Sequence, residues 1–166
     1  MKNEKVRLLK IALYIIVCVF SLVITHFIPN IEIITAIILG LTAFLPLLDC
    51  LFIAVVSLLI QSLIFGLHIM TMPQIIAEYV VIIIGFFVLP SLKWLGAKAV
   101  YAGLAALITC VIISMFIAKS FGYSGFVAYG LVSYPGYLWD ALANLVAYPF
   151  VWAALNYIRK KNGKLL

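Results

Sequence analysis

Long apolar stretches, separated by short segments that contain proline, glycine or charge, dominate this sequence. A helix needs about 20 predominantly apolar residues to cross the hydrocarbon core of a bilayer. Six such helices with short connections would use nearly the whole chain. Apolar residues make up 67% of the sequence and charged residues 10%. Soluble domains contain about 45–50% apolar residues and about 25% charged residues. The chain is therefore predicted to be an all-α membrane protein.

We predict one domain, residues 1–166, formed by a compact bundle of six transmembrane helices. Proline and glycine residues divide the apolar stretches and set the limits of the predicted helices. The helices are placed at residues 6–28, 33–45, 47–65, 73–88, 97–118 and 137–158. Helix 2 is short enough to be tilted, thin-spanning or re-entrant. The segment Gly122–Gly136, rich in glycine and tyrosine, is predicted to be a long loop.

The positions of the basic residues predict the orientation, because cytoplasmic ends and loops contain an excess of lysine and arginine. Four cations lie at the start of helix 1, four follow helix 6, and Lys93 and Lys98 lie between helices 4 and 5. Among all lysines and arginines, only Lys119 falls on the opposite side. Both termini are thus predicted to be cytoplasmic. A cleaved signal peptide is disfavoured, because the first apolar run exceeds about 7–15 residues and no small-x-small site follows it.

Few polar side chains lie within or beside the predicted helices, and such residues usually face protein or water because lipid does not solvate them. Asp140 and Asn144 lie four residues apart on helix 6, and Gln74 and Glu78 have the same spacing on helix 4. The predicted topology places these pairs, together with several aromatic residues, toward the outer side. Aromatic residues with a few polar groups are typical of small-molecule pockets. The candidate ligand-binding residues are Asn30, Glu32, Thr35, His68, Gln74, Glu78, Tyr137, Trp139, Asp140 and Asn144.

Several candidates also have a purely structural interpretation. Tyrosine and tryptophan near a helix end commonly form the interfacial aromatic belt. Asp140 and Asn144 could form hydrogen bonds to another helix, which are common between membrane helices. Glu78 could be a proton or cation site, a ligand contact or a capped structural acid. Asp49 is predicted to be a charge favoured by the dipole at the start of helix 3.

The sequence shows no motif for catalysis, nucleotide binding or metal binding. It contains no Gly-rich phosphate loop, no GxSxG and no HExxH. The three cysteines lie far apart in apolar runs and are predicted to be packing residues. His26 and His68 have no cysteine or carboxylate at metal-ligand spacing. The basic residues do not form a face with base-reading groups, as nucleic-acid binding would require. We therefore expect no enzymatic activity, no metal and no nucleic acid.

Two parts of the chain resemble the substrate-binding S components of energy-coupling factor (ECF) transporters. One part is Pro29–Glu32 with Thr35, together with Pro73-Gln74 at the start of helix 4. The other is Pro135–Asn144, where a glycine is followed by an aspartate and, one turn later, by an asparagine. As architecture, with six apolar helices and a substrate side that faces outward, the resemblance covers nearly the whole chain.

The resemblance implies that this chain binds a vitamin or vitamin precursor from outside a bacterial cell, as a multi-pass protein of the plasma membrane. It implies partners, namely a membrane-coupling subunit and two ATPase subunits that use ATP, so that this chain itself binds no cofactor. The Asn-x-Glu and Pro-Gln patterns are most similar to S components for cobalamin and its precursors. Pantothenate, riboflavin, thiamine, folate and a queuosine-type base are the other possibilities. The alternatives to an S component are a stand-alone ion-coupled transporter and a membrane enzyme or assembly factor.

The expected docking surface for the coupling subunit departs from the family pattern. Many S components have alanines at small-xxx-small spacing on helix 1, which this helix lacks. That spacing occurs instead at Ala102/Ala106 and Ala143/Ala147, where it would allow two helices to approach closely.

Overall fold

The computed structural model describes residues 2–27, 32–66 and 71–161, without the side chains of residues 2, 3, 121 and 123–134. Within these ranges the chain is helical and contains no strand. The first four helices are α1 (Lys2–His26), α2 (Ile34–Leu41), α3 (Leu47–Phe65) and α4 (Thr71–Val88), and a 3-10 turn (Leu89–Ser91) follows α4. Helical backbone then extends over Leu95–Lys161 with a break at Gly122. We call its two apolar parts α5 (Leu95–Ser120) and α6 (Pro135–Lys161).

Five of these helices, all except α2, are long and apolar enough to cross a membrane. Large apolar side chains such as Leu9, Phe20, Phe87 and Phe150 are exposed on the outside of the bundle. A bilayer accommodates such a surface, whereas monomeric soluble proteins rarely expose large apolar patches. These features agree with the predicted all-α membrane protein. In contrast, the eight residues of α2 extend for only about 12 Å, and the hydrocarbon core is about 30 Å thick.

The predicted loop at Gly122–Gly136 is wrong, because the backbone there is helical on both sides of one break. Gly122 has φ 77° and ψ 179°, and glycine adopts a positive φ without the steric penalty that a Cβ would cause. The prediction rested on the glycine content of this segment. A glycine costs a helix only about 1 kcal/mol relative to alanine, so glycines with helical φ and ψ do not end it.

Contacts at both ends of the bundle show that α1 and α3 run parallel. At their starts, Arg7 Nε donates to Asp49 Oδ2 at 3.0 Å. At their ends, the rings of His26 and Phe65 stack with centroids 3.7 Å apart. Asp49 lies in the first turn of α3, where the helix dipole favours a negative charge. Its carboxylate in addition forms an ion pair with Arg7, which the sequence did not indicate.

The short helix α2 lies in the centre of the bundle, and all eight of its residues are buried. Ile34 and Ile38 belong to a core cluster that includes Cys18 and Ile53, so α2 packs against α1 and α3. Cys18 and Cys50 are both fully buried, as expected for apolar packing residues. A Cβ added at Gly40 would lie 2.8 Å from Val151 Cγ1, which shows that α6 also packs closely against α2.

The helices α5 and α6 approach each other at Gly103. A Cβ added there would lie 2.9 Å from the carbonyl oxygen of Ala141 and 3.2 Å from Leu145 Cβ. The small residues Ala102 and Ala106 have no exposed surface. The Ala102/Ala106 pair therefore packs inside the bundle and is not available as a docking surface for another subunit, whereas Ala143 and Ala147 are partly exposed.

Candidate ligand-binding site

A cavity of about 220 Å³ lies where the residues before α2 and the starts of α4 and α6 meet the second half of α5. Its lining consists of Glu32, Thr35, Gln74, Glu78, Thr109, Cys110, Ile113, Gly136, Tyr137 and Asp140. Six of our ten candidate residues are among them. Asn144 and Trp139 lie elsewhere, while Asn30 and His68 are outside the described residues.

Glu78 on α4 is the most deeply buried acid in the cavity wall, with 1% of its surface exposed. One carboxylate oxygen, Oε1, accepts a hydrogen bond from the Thr35 hydroxyl at 2.6 Å. The other oxygen, Oε2, is buried and has no partner among the described residues. A buried acceptor without a partner is costly, so a hydrogen-bond donor that reached this oxygen would be stabilising.

Glu32 and Gln74 form the second polar contact in the cavity wall. Gln74 Nε2 donates to Glu32 Oε2 at 2.7 Å, which joins the start of α4 to the segment before α2. Burial raises the pKa of the Glu32 carboxyl above its ordinary value, and the hydrogen bond from Gln74 acts in the opposite direction. The spacing of Gln74 and Glu78 predicted one shared face of α4, and both side chains do line the cavity.

Asp140 and Asn144 on α6 fix the chain at the start of α2. Asp140 Oδ1 accepts a hydrogen bond from the Glu32 backbone N–H at 2.7 Å. Asn144 Nδ2 donates to the Glu32 carbonyl at 2.6 Å, and Asn144 Oδ1 accepts from the Ala36 N–H at 2.8 Å. The first N–H groups of a helix lack acceptors within the helix, and Ile33 provides no side-chain cap. Asn144 therefore supplies an acceptor to one of these groups, and Asp140 holds the segment just before α2.

The fully buried Asn144 does not line the cavity. Its amide also donates to the Asp140 carbonyl at 2.9 Å, so both of its polar atoms are used by the protein. Of the two interpretations that the sequence allowed, the structure therefore favours an interhelical contact for Asn144. Asp140 differs, because it contacts Glu32 and also borders the cavity.

The two aromatic candidates on α6 occupy different positions. Tyr137 lines the cavity, and its hydroxyl lies 2.9 Å from the Ser114 hydroxyl on α5. Trp139 is 62% exposed and lies outside the cavity wall. This exposure fits the interfacial belt that the sequence allowed as the alternative.

Sequence reasoning missed four residues of the cavity wall, namely Thr109, Cys110, Ile113 and Gly136. Thr109 is the most informative, because its hydroxyl is buried and has no hydrogen-bond partner among the described residues. The sequence shows only that Thr109 places a hydroxyl within the apolar run of α5. Cys110 was predicted to be a packing residue, and apolar side chains at positions 110 and 113 do form the wall on that side.

The cavity offers mainly hydrogen-bond acceptors, since three carboxyl groups lie in its wall. The described residues contain no group of three or more histidine, cysteine, aspartate or glutamate side chains arranged to hold a metal ion. Comparisons of the chain with protein families, with characterised proteins and with solved structures found no match. Its function is therefore inferred from the residues of the cavity and from their surroundings.

Proposed function

We propose that this chain is the substrate-capturing S component of an ECF-type importer for a vitamin or vitamin precursor. The observation that supports it best is that the two sequence segments resembling S components converge on one cavity. Glu32 and Thr35 come from the first segment, Gln74 from the start of α4, and Asp140 from the second segment. A concave site with convergent polar groups is the usual form of a small-molecule site.

The proposed orientation places the cavity on the outer side of the plasma membrane and both termini in the cytoplasm. Basic residues gather at the opposite end of the bundle, where Lys98 Nζ lies 4.5 Å from the Trp152 ring centroid. There the Arg159 guanidinium also lies 5.7 Å from the Phe44 ring centroid, and Arg7 pairs with Asp49. Because cytoplasmic ends are rich in lysine and arginine, this end is proposed to be cytoplasmic.

We propose that α2 and its flanking residues make the sixth crossing. Glu32 borders the cavity, and Phe44 contacts the basic end through Trp152 and Arg159. The chain between these residues thus passes from one end of the bundle to the other. Non-helical backbone within a membrane has to be covered by protein or lie beside water. The central position of α2 meets this condition.

The size of the cavity favours the smaller compounds among the candidate substrates. Sites for drug-sized ligands have volumes of roughly 300–1,000 Å³, and the described residues enclose about 220 Å³. A small vitamin, or a one- or two-ring precursor such as a lower ligand of cobalamin, suits this volume better than an intact corrinoid. The aromatic ring of Tyr137 offers a surface on which such a ring could stack.

The first test is a thermal-shift screen of the purified chain in nanodiscs without ATP. The panel consists of cobalamin, its lower-ligand precursors, riboflavin, thiamine, pantothenate, folate, biotin and pyridoxine. At 100 times its dissociation constant, a ligand that binds only the folded form stabilises it by about 2.7 kcal/mol. We expect a shift with one compound, lost in Asp140→Ala and retained in Glu4→Gln, which changes an acid far from the cavity. No shift with any compound in a folded sample would contradict the proposal.

A stand-alone ion-coupled transporter is the second candidate, and Glu78 favours it because its Oε2 has no partner in the described part of the chain. A buried acid within a transmembrane helix is a frequent proton or cation site in such transporters. The two functions differ in their energy source. Uptake into proteoliposomes that requires a coupling subunit, two ATPases and ATP supports an S component. Uptake by this chain alone, driven by a proton or sodium gradient, supports the second candidate.

A further inference from the structure

The cavity has an unusual charge composition for this chain. The sequence has eleven lysine and arginine residues and only five acidic residues. Three of those five acids, Glu32, Glu78 and Asp140, line the cavity, and no basic side chain is among the residues described in its wall. Asp49, a fourth acid, forms an ion pair with Arg7. Among the described residues, the acids of the cavity thus lack a positive partner of the kind that Asp49 has.

Neutral groups provide all the hydrogen bonds that these three carboxyl groups receive from the described residues. Glu78 accepts a hydrogen bond from the Thr35 hydroxyl, and Glu32 accepts one from the Gln74 amide. Asp140 accepts hydrogen bonds from the backbone N–H of Glu32 and, at 3.4 Å, from the Asn144 amide. Hydrogen bonds of this kind orient a carboxylate but do not neutralise its charge. A charged group buried among membrane helices usually has an opposite charge beside it.

Two polar atoms in the wall have no hydrogen-bond partner among the described residues, and both belong to side chains that are more than nine-tenths buried. Glu78 is 1% exposed and its Oε2 is free, while Thr109 is 6% exposed and its hydroxyl is free. They come from two helices, α4 and α5, whose side chains both line the cavity. A buried polar group without a partner is costly, so a molecule that satisfies both atoms gains affinity.

We propose that the solute bound in this cavity is a small organic cation with N–H donors, such as a protonated amine or a cationic nitrogen heterocycle. This class rests on the capture function proposed above. The Glu78 carboxylate is the counter-charge of the cation, and Thr109 hydrogen-bonds a second polar group of the same molecule. Tyr137 and Ile113 contact its ring, and the tyrosine face adds a cation–π attraction. The described residues offer no group arranged to hold a metal ion, which favours an organic cation over a metal.

The test compares compounds of similar size and different charge in a binding assay on the nanodisc protein. The central set shares one ring and comprises 1-methylnicotinamide as the cation, nicotinamide as the neutral compound and nicotinate as the anion. Thiamine and pyridoxamine extend the cationic group, riboflavin and pyridoxine the neutral group, and pantothenate and biotin the anionic group. Each compound is titrated up to millimolar concentration by isothermal calorimetry, alongside the thermal shift.

Two variants assign the binding to the proposed atoms. Glu78→Gln keeps the size of the side chain and an acceptor for Thr35 but removes the charge, so it should weaken binding of a cation by about 30-fold or more. It should leave a neutral compound with the same ring far less affected. Thr109→Val removes only the free hydroxyl and should weaken every bound compound. Glu4→Gln is the matched control and should bind like the unaltered chain.

Each result leads to a different conclusion. Binding confined to the cationic group, and lost in Glu78→Gln, supports the proposal. If the neutral or anionic compounds bind as well as the cations or better, the cation class is wrong while capture of a solute stands. If cations bind but neither Glu78→Gln nor Thr109→Val changes their affinity, this site is wrong. If no compound of any charge binds to folded protein, the capture function fails together with the cation class.

Discussion

Replacement of Asn144 by alanine should destabilise the fold, because this side chain holds the start of α2. Asn144 is fully buried, accepts a hydrogen bond from the Ala36 N–H at 2.8 Å and donates to the Glu32 carbonyl at 2.6 Å. Asn144→Ala leaves both backbone groups without a partner. Each unsatisfied buried group costs about 1–3 kcal/mol. Two such groups give an expected total loss of about 2–6 kcal/mol.

Asn156 provides a control on the same helix. Its amide is partly buried and donates to the carbonyl of Trp152, one turn earlier, at 3.1 Å. This bond is local, so Asn156→Ala leaves no other helix without a partner. We expect a loss of at most about 0.6 kcal/mol, the average for side-chain hydrogen bonds in a well-studied membrane protein.

The assay is reversible unfolding in mixed micelles, with the free energy obtained from the denaturant midpoint and slope. Both variants are measured beside the unaltered chain, under the same lipid and detergent conditions. If Asn144→Ala costs no more than Asn156→Ala, the idea that α6 caps the start of α2 is refuted. A large loss for Asn144→Ala alone supports the cap.

Three further predictions concern packing and charge. Gly103→Ala should destabilise the fold by about 1–3 kcal/mol, because the added methyl group forces α5 and α6 apart. Gly96→Ala is the control: a Cβ there meets nothing within 4 Å, so this change should stabilise the helix by about 0.5–1 kcal/mol. Burial raises the pKa of Glu32 in the folded state, so the folded chain binds this proton more tightly than the unfolded chain does. The stability of the unaltered chain relative to Glu32→Gln should therefore be greatest below the ordinary glutamate pKa and fall as the pH rises through the raised one. Arg7→Gln should lower the midpoint of unfolding, and adding Asp49→Asn should restore part of it, because the buried carboxylate is then no longer unpaired.

The sequence contained enough information for the class of the fold and for much of the cavity wall. Apolar runs near the length of a bilayer crossing correspond to α1, α3, α4, α5 and α6. The four-residue spacing of Gln74 and Glu78 placed both on one face, and both line the cavity. These successes share one cause. Helical periodicity and the cost of polar groups in lipid act locally and can be recognised without knowing the contacts between helices.

The limits of α2 could not be predicted in the same way. The expected helix at residues 33–45 ends at Leu41, although neither glycine nor proline follows until Pro46. The Thr42 hydroxyl bonds to the Leu39 carbonyl, and the N–H groups of Phe44 and Leu45 both bond to the Leu41 carbonyl. These bonds form a turn from residues that are also compatible with helix. The tertiary position of the segment, between α1, α3, α4 and α6, decides between the two conformations.

Thr109 was missed for a related reason. A serine or threonine within a membrane helix commonly bonds to a carbonyl one turn earlier, as Ser114 does with the Cys110 carbonyl at 2.8 Å. Such a hydroxyl is satisfied and gives no sign of a site. Thr109 lies five residues earlier on the same helix, yet its hydroxyl has no partner among the described residues. The sequence does not distinguish these two hydroxyls, and only the cavity that α4 and α6 form beside α5 makes the second one informative.

The contacts that hold the start of α2 also border the cavity. A helix of eight residues is too short to be stable alone, and α2 has no side-chain cap of its own. Asp140 supplies an acceptor to the Glu32 N–H just before α2, and the same carboxyl group borders the cavity. A ligand that draws the Asp140 carboxyl group toward itself would weaken the hydrogen bond from the Glu32 N–H. A ligand that binds without moving Asp140 would leave this bond in place and stabilise the start of α2. Binding is thus expected to change the stability of α2 first, and hydrogen exchange at the N–H groups of residues 32–36 is the observable that would register it.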